Sequence, residues 1–389
     1  MKLLAKLLNP LQHFLLFLSL CTTSVVASAQ DDQPAPSLNI GDPAPQLQIR
    51  AWVKGTPIEK LEKSNIYVLE FWATWCHPCM AAMPHLSVLA AKYKNKVTFL
   101  GIDVYEKTTT PLGKIKAVVD SMGNRMDFNI AEEDSNFMAA NWIDSTGEQT
   151  NGIPRSFVVD AKGRLAWVGY PTELDEVLPK IVNNTWNIKA VLNKRNLDRH
   201  LEALDEDAGL KVVKYTNAMG VFDPAYLGQP DSVLWLMKII VNKEPRLKYA
   251  PMVGGNTFSA LLKTDPHQAY EFGKSLIVTP TYTGPDYLGI SESIDWYSDK
   301  LKLPSEIYLL GAEALQKYID HLPYPELINV FKHYHKMAEF YWHANDSLKA
   351  IEAEQKAIEN MKTKKDFSEK DLVAYETRLQ EYKKKWQAQ

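Results

Sequence analysis

Two cysteines three positions apart, Cys76 and Cys79, enclose His77 and Pro78 in the stretch Phe71-Trp-Ala-Thr-Trp-Cys-His-Pro-Cys79. A pair at this spacing can pass between two thiols and one disulfide, provided one sulfur is held as thiolate near neutral pH. If a helix opens at the pair, Cys76 stands at its N-terminus, where unpaired backbone N–H groups and the helix dipole favour the anion. Cys79 then lies one turn inside, shielded, and is better suited to resolve a mixed disulfide than to attack. His77 is a candidate positive neighbour, and Pro78 fits the first turn because its missing N–H would be unpaired there anyway. Attacking thiols in such pairs have pKa values of roughly 3.5 to 7.5.

Other chemistries use the same spacing. A zinc knuckle needs two further ligands, and neither a second cysteine pair nor a His-x3–5-His unit is present. His85 lies far along the same helical stretch and reads as a surface or partly buried side chain. A purely structural disulfide would close so short a loop that it removes little chain entropy. Copper delivery would call for an extra histidine that nothing here supplies.

The pair must be held by the elements around it. Tyr67–Phe71, Val97–Ile102 and Phe157–Asp160 are short apolar, β-rich runs of the kind buried in the centre of a sheet. Helical patterns over Cys79–Tyr93, Lys114–Met122 and Asn136–Trp142 lie between them. Strand, helix, strand in this order implies parallel pairing through right-handed crossovers. Ala161–Arg164 reads as a turn into Leu165–Val168, an antiparallel partner. Thr172 and Asp175 suggest a capping box opening a helix through Val182. The expected fold is α/β: a mixed sheet with helices on both faces over residues 39–183.

Beyond residue 184 strand signals fade and apolar periods of three and four take over, as in Leu234, Leu236, Met237 and Ile240. Pro- and Gly-rich breaks near 222–230, 251–256 and 279–289 separate the helices. Residues 184–389 are therefore expected to form an all-α C-terminal domain. Met337, Ala338, Tyr341, Ala350 and Ala357, with Asn345-Asp346 at the turn, match one tetratricopeptide hairpin in spacing; an ordinary helix pair fits as well. Ser368 and Asp371 mark the start of a charged terminal helix.

The N-terminus has its own pattern. Lys2 and Lys6 precede an apolar run that ends at Ala27-Ser28-Ala29, the parts of a secretory signal cleaved after residue 29. An uncleaved anchor and lipid attachment at Cys21 are the competing readings. Cleavage would remove Cys21, leave 30–38 as a polar leader, and make Cys76 and Cys79 the remaining cysteines. The formal charge of -3 over 389 residues, about -5 without the signal, gives no reason to expect nucleic acid or an anionic membrane surface as partner. A composition 46% apolar and 23% charged is that of a soluble globular chain.

Residues 39–183 resemble a thioredoxin-fold domain of the TlpA/ResA type, the exported thiol-disulfide oxidoreductases of bacteria. The motifs that carry the likeness are Gly41-Asp-Pro-Ala-Pro45, Phe71–Cys79, Met83-Pro84, Gly101-Ile-Asp-Val104 and Gly152-Ile-Pro154. The length, with a helical region beside such a domain, looks like proteins of Bacteroidetes-type bacteria. The resemblance implies that Pro154 is a cis-proline facing the cysteines, with Ile153 and Arg155 beside it. It places Glu70, six residues before Cys76, where a buried acid assists the proton of the second cysteine. A carboxylate in an apolar strand should have a raised pKa, unless Glu70 reaches solvent at a strand end. Glu106 resembles an acidic residue near the active site, with a surface loop as the alternative, and Trp75 is placed beside the attacking sulfur. His-Pro between the cysteines, where reducing thioredoxins carry Gly-Pro, and Arg155, where they carry Thr, leave the direction of electron flow open.

The reading that follows is an exported, periplasmic or envelope-associated, protein-disulfide reductase. Its expected partners are client proteins with disulfides and a membrane thiol-electron donor. No cofactor is expected, since no Gly-x-Gly-x2-Gly dinucleotide motif is present. The helical domain would dock a protein partner, pair protomers or restrict access. A dithiol oxidase or isomerase, and a scaffold whose helical domain carries the function, are the rival readings.

Overall fold

The computed structural model describes residues 37–107, 109–147, 152–216, 227–322, 325, 328–364 and 367–387. The expected signal and Cys21 lie outside the described residues. At the centre is a six-stranded sheet in the order β1-β4-β3-β2-β5-β6, made of β1 (Ile49–Lys54), β2 (Ile66–Trp72), β3 (Val97–Asp103), β4 (Asn129–Glu133), β5 (Arg155–Val159) and β6 (Leu165–Gly169).

The middle strands are the continuous apolar runs, because both their faces are covered. Strand β2 pairs in parallel with β3 and antiparallel with β5. Helix α1 (His77–Lys92) makes the β2 to β3 crossover, and α2 (Leu112–Met122) leads from β3 toward β4. The β5–β6 hairpin is closed by Asp160, whose carboxylate accepts from Lys162 N and Arg164 N. Gly163 takes a positive φ of 78° in that turn, a region closed to most side chains.

Alternation along β2 divides the core in two. Val68 and Trp72 face one apolar cluster with Cys76, Cys79, Ala82, Met83 and Leu86 of the α1 side. Leu69 and Phe71 face the other, with Trp142 and Phe157, whose rings pack edge-on at 5.6 Å. Glu70 falls on the α1 face by the same alternation.

Three local features add to or depart from the expectation. Strands β1 and β4 were not foreseen: β1 is half-exposed along its length and β4 holds only two apolar residues before its acidic end. The helix expected at Asn136–Trp142 is present but short and irregular, beginning at 137 and passing into π-helical winding at Ala139–Ile143. No capping box forms at Thr172 and Asp175. Pro171 starts a 3-10 turn one residue earlier, Tyr170 N donates to Glu173, and α3 (Leu174–Val182) follows. Pro is suited to such a first position because its φ is already set.

Among the described residues beyond α3 the regular elements are all helices. Helix α4 (Ile188–Val212) begins against the sheet, where Ile188, Val191 and Leu192 pack on the Phe71 face. Arg195 and Arg199 donate to Thr146 O at 3.1 and 2.6 Å, and Arg199 also reaches Asn39 Oδ1 at 3.1 Å. Its far end, through Leu201, Ala208 and Val212, enters a separate cluster with Val233, Met237 and Val253. These come from α5 (Pro230–Lys243) and α6 (Pro251–Thr264).

Helices α7 (Pro266–Leu276), α8 (Tyr287–Ser298), α9 (Ser305–Asp320), α10 (Val330–His343), α11 (Ser347–Lys362) and α12 (Glu369–Gln387) build the largest apolar cluster, together with part of α6. In the α10–α11 hairpin Met337, Ala338, Ala350 and Ala357 are buried, and small residues at these places let the two helices approach closely. Asn345 turns the chain with a φ of 63°, and Asp346 caps α11 through Lys349 N. Ser368 Oγ accepts from Asp371 N before α12. Among the described residues no helix is long and apolar enough to cross a membrane.

Candidate active site

Cys76 is the N-cap of α1, and Cys79 lies within its first turn. The two sulfurs form a disulfide, with α-carbons 5.3 Å apart. The Cys79 N–H points at Cys76 Sγ at 3.2 Å, so an orphan amide of the helix start is aimed at the first sulfur. No acidic residue occupies the first turn of α1 to oppose a negative charge there. Cys79 is fully buried, whereas Cys76 keeps 4% of its surface. His77 and Pro78 are exposed, with Pro78 in the first turn, and Trp75 is half-exposed beside them.

The Ile153–Pro154 bond is cis. Ile153 O stands 3.7 Å from Cys76 Sγ, so the loop before β5 faces the cysteine pair. Arg155, which follows, is buried with its guanidinium over the Tyr170 ring at 4.2 Å. That stack joins β5 to the residue just past β6 and accounts for the arginine's tolerance of burial.

Glu70 sits opposite Ser156 on β5 and Gly101 on β3. It is 1% exposed. Ser156 Oγ donates to Glu70 Oε2, while Oε1 has no hydrogen-bond partner. Burial pushes its pKa from the ordinary 4.5 up to about 8, against the pull of the Ser156 hydrogen bond and the Arg155 charge. The carboxyl therefore holds its proton through neutral pH and can release it just above. The strand-end alternative, with Glu70 reaching solvent, is excluded by this burial.

Glu106 does more than line a surface loop. Its Oε1 accepts from both Thr74 N at 2.7 Å and Thr74 Oγ1 at 2.5 Å, pinning the segment that leads into Trp75 and Cys76. Trp75 Nε1 adds a bond to Tyr105 O at 3.3 Å. His85, down the same helix, stands 2.8 Å from Asp175 and ties α1 to α3. Pro84 lies inside α1, where Ser87 bonds back to Met83 O and accepts from Asp127 N.

Reasoning from sequence missed two features. Ser156 as the partner of Glu70 is visible only once β2 and β5 are in register. Asp103, at the end of β3, is 1% exposed with both carboxylate oxygens lacking hydrogen-bond partners. Burial and, after it, the neighbouring Glu106, Glu132 and Glu133 raise its pKa from 3.8 to about 8, against the pull of Lys114. An acid closing an otherwise apolar run was the available signal. Among the described residues no cluster of His, Cys, Asp and Glu suited to a metal ion is found.

A cysteine pair capping a helix on a mixed sheet, with a cis-proline loop facing it, defines a thioredoxin-fold redox centre. The thioredoxin family profile matches residues 56–118. Protein FixW of Rhizobium leguminosarum is 29% identical over 156 residues, covering 39% of this chain and 70% of that protein. The thiol:disulfide interchange protein DsbE of Pasteurella multocida is 30% identical over 162 residues, covering 41% of this chain and 82% of that protein. A thiol:disulfide interchange protein from Bacteroides sp., solved in solution, covers 38% of this chain and 92% of its own at 20% identity and a TM-score of 0.32. The chain belongs to the thioredoxin-like thiol-disulfide oxidoreductases.

Proposed function

We propose that the protein is an exported, periplasmic protein-disulfide reductase. The observation that carries the proposal is the asymmetry of the pair: Cys76 caps the helix and retains some exposure, while Cys79 is sealed beneath it. Cys76 thiolate attacks one sulfur of a client disulfide, and the other client sulfur leaves as thiolate and takes a proton from solvent. Cys79 gives its proton to Glu70 in its ionised form, attacks Cys76 Sγ and expels the second client sulfur as thiolate, which takes a proton from solvent. Each cycle leaves the Cys76–Cys79 disulfide and two client thiols. Two electrons must then return from a membrane thiol-electron donor.

The cis-proline loop supports client docking. Ile153 O, 3.7 Å from Cys76 Sγ, would pair with an extended client segment in the manner of strand addition. Trp75, His77 and Pro78 are exposed beside Cys76, while Arg155 is buried against the Tyr170 ring behind the loop. The helical region then holds the client or the donor, or pairs two copies of the chain.

Two measurements test the reading. In Cys79→Ser, the first step proceeds and resolution fails, so a mixed disulfide through Cys76 accumulates with client proteins in the periplasm. If none accumulates, a scaffold role gains. The reduction potential of the couple decides direction: a value near -120 mV, that of a strong oxidant, would overturn the reductase reading, and one at or below about -200 mV supports it.

A further inference from the structure

Around Gly101, on the face of the sheet that α1 covers, buried polar atoms gather that the mechanism above only partly uses. Register places Glu70 opposite Gly101 and Trp72 opposite Asp103. Paired residues of parallel neighbours share a face, so Glu70, Trp72 and Asp103 all project toward the α1 side. Strand spacing and rise put the α-carbons of Glu70 and Asp103 ~8 Å apart. Among the described residues, Glu70 Oε1, Trp72 Nε1 and both Asp103 carboxylate oxygens are buried without a hydrogen-bond partner. Four such atoms in one patch depart from the usual satisfaction of buried polar groups.

Gly101 makes the patch continuous. A β-carbon there would come within 2.8 Å of Ile130 Cδ1 and 3.4 Å of Trp72 Nε1, filling the space between the two acids. On its outer side Asp103 lines a cavity of about 490 Å³ with Arg50, Glu106, Glu132 and Glu133. The charged groups facing Asp103 are thus Glu106 from the following loop, Glu132 and Glu133 from β4, and Lys114 from α2. Arg50 of β1 is engaged by Glu132, and Lys107 and Asp134 stand at the cavity's edge.

We propose that Asp103 is the outlet of a two-acid proton relay, which receives the proton that Glu70 takes from Cys79 and releases it into this cavity. The inference rests on the role given to Glu70 above. In the molecules whose two acids are ionised, a fraction that grows as pH approaches 8, Cys79 thiol and Glu70 carboxylate become Cys79 thiolate and Glu70 acid. The thiolate attacks Cys76 Sγ and the client thiolate leaves. Glu70 acid passes its proton to Asp103 carboxylate, and Asp103 acid gives it to water in the cavity. No electron moves in the transfer, and both acids end as they began. Glu106 then has two tasks, holding Thr74 and walling the outlet.

The test uses the reduced full chain mixed rapidly with 5,5′-dithiobis(2-nitrobenzoate), from pH 5 to 9. Attack by Cys76 releases the first thionitrobenzoate and resolution by Cys79 releases the second. Asp103→Asn should leave the first phase unchanged and slow the second about tenfold at pH 8 and above, where the two carboxyls ionise and can accept a proton, the gap closing toward pH 5 as both hold their protons in the parent. Glu70→Gln should slow the second phase at least as much, and the double variant should be no slower than Glu70→Gln alone.

A wild-type second phase in Asp103→Asn, or slowing in the double variant that multiplies the two single effects, overturns the relay. If Glu70→Gln has no effect, the role of Glu70 fails, and with it the relay. Gly101→Ala, which plugs the gap and keeps both acids, should behave as Asp103→Asn. If the variants do not fold, the infrared difference between oxidised and reduced unaltered protein decides: two carboxyl bands must respond, and one alone overturns the relay.

Discussion

The redox sheet and the helical region each bury acids, and they treat them in opposite ways. In the helical region Asp205 is fully enclosed yet accepts from Met252 N, Val253 N and Tyr282 Oη, at 2.8 to 2.9 Å. It holds the start of α6 against the middle of α4, a structural task. Glu354 is likewise enclosed and meets His335 Nδ1 at 2.8 Å, under a His335–Tyr375 ring stack. In the sheet, Glu70 keeps one oxygen unpartnered and Asp103 keeps two. A satisfied buried acid fixes the fold, whereas an unsatisfied one keeps a proton available.

Removing the buried acid should therefore have opposite consequences in the two regions. Glu70→Gln is expected to slow resolution by about 100-fold, the low end for a positioned proton acceptor, while raising stability. The sign follows from the proton count. The native acid holds its proton up to about pH 8 and the unfolded one only to 4.5, so native Glu70 loses stability steadily as pH rises between those values. The variant lacks this loss. Chemical denaturation should show equal stabilities near pH 4, a gap of a few kcal/mol at pH 8, and no further widening above. A variant less stable than the parent at pH 8 would show that Glu70 is a structural acid after all.

Asp205→Ala should do the reverse. It strands two amides of α6 and the Tyr282 hydroxyl, at a cost of about 3 kcal/mol, with thiol exchange per folded molecule unchanged. A fall in exchange rate would mean that the helical region reaches the chemistry. Glu354→Gln is the mildest change, about 1 kcal/mol, since the amide can still meet His335 and only the charge assistance is lost. Thermal melts of the two variants side by side check the order.

How much of this was legible in the sequence depends on whether a feature is local. The apolar runs of β2, β3 and β5 and the helix at Cys76 were readable, because central strands and helix caps announce themselves over a few residues. Strand β4, with Ile130 and Ala131 as its apolar content, was not. It becomes a strand only because β1 and β3 flank it, a condition written nowhere in its own five residues. The same holds within the site. Cys76, Cys79, Glu70 and Pro154 follow from motifs, but the Ser156 partner, the Thr74–Glu106 clasp and the isolation of Asp103 depend on register between strands. The early start of the turn before α3 was decided by one residue, Pro171, where the pattern suggested Thr172.

Helix α4 has a mechanical consequence. One uninterrupted rod carries Ile188, Val191 and Leu192 in the sheet's core and Leu201, Ala208 and Val212 in the helical one, with Arg195 and Arg199 bolted to Thr146 between them. A rigid shaft gripped at both ends transmits torque without a hinge. The helical cluster is thereby fixed to the sheet through a continuous packed helix rather than through a flexible linker.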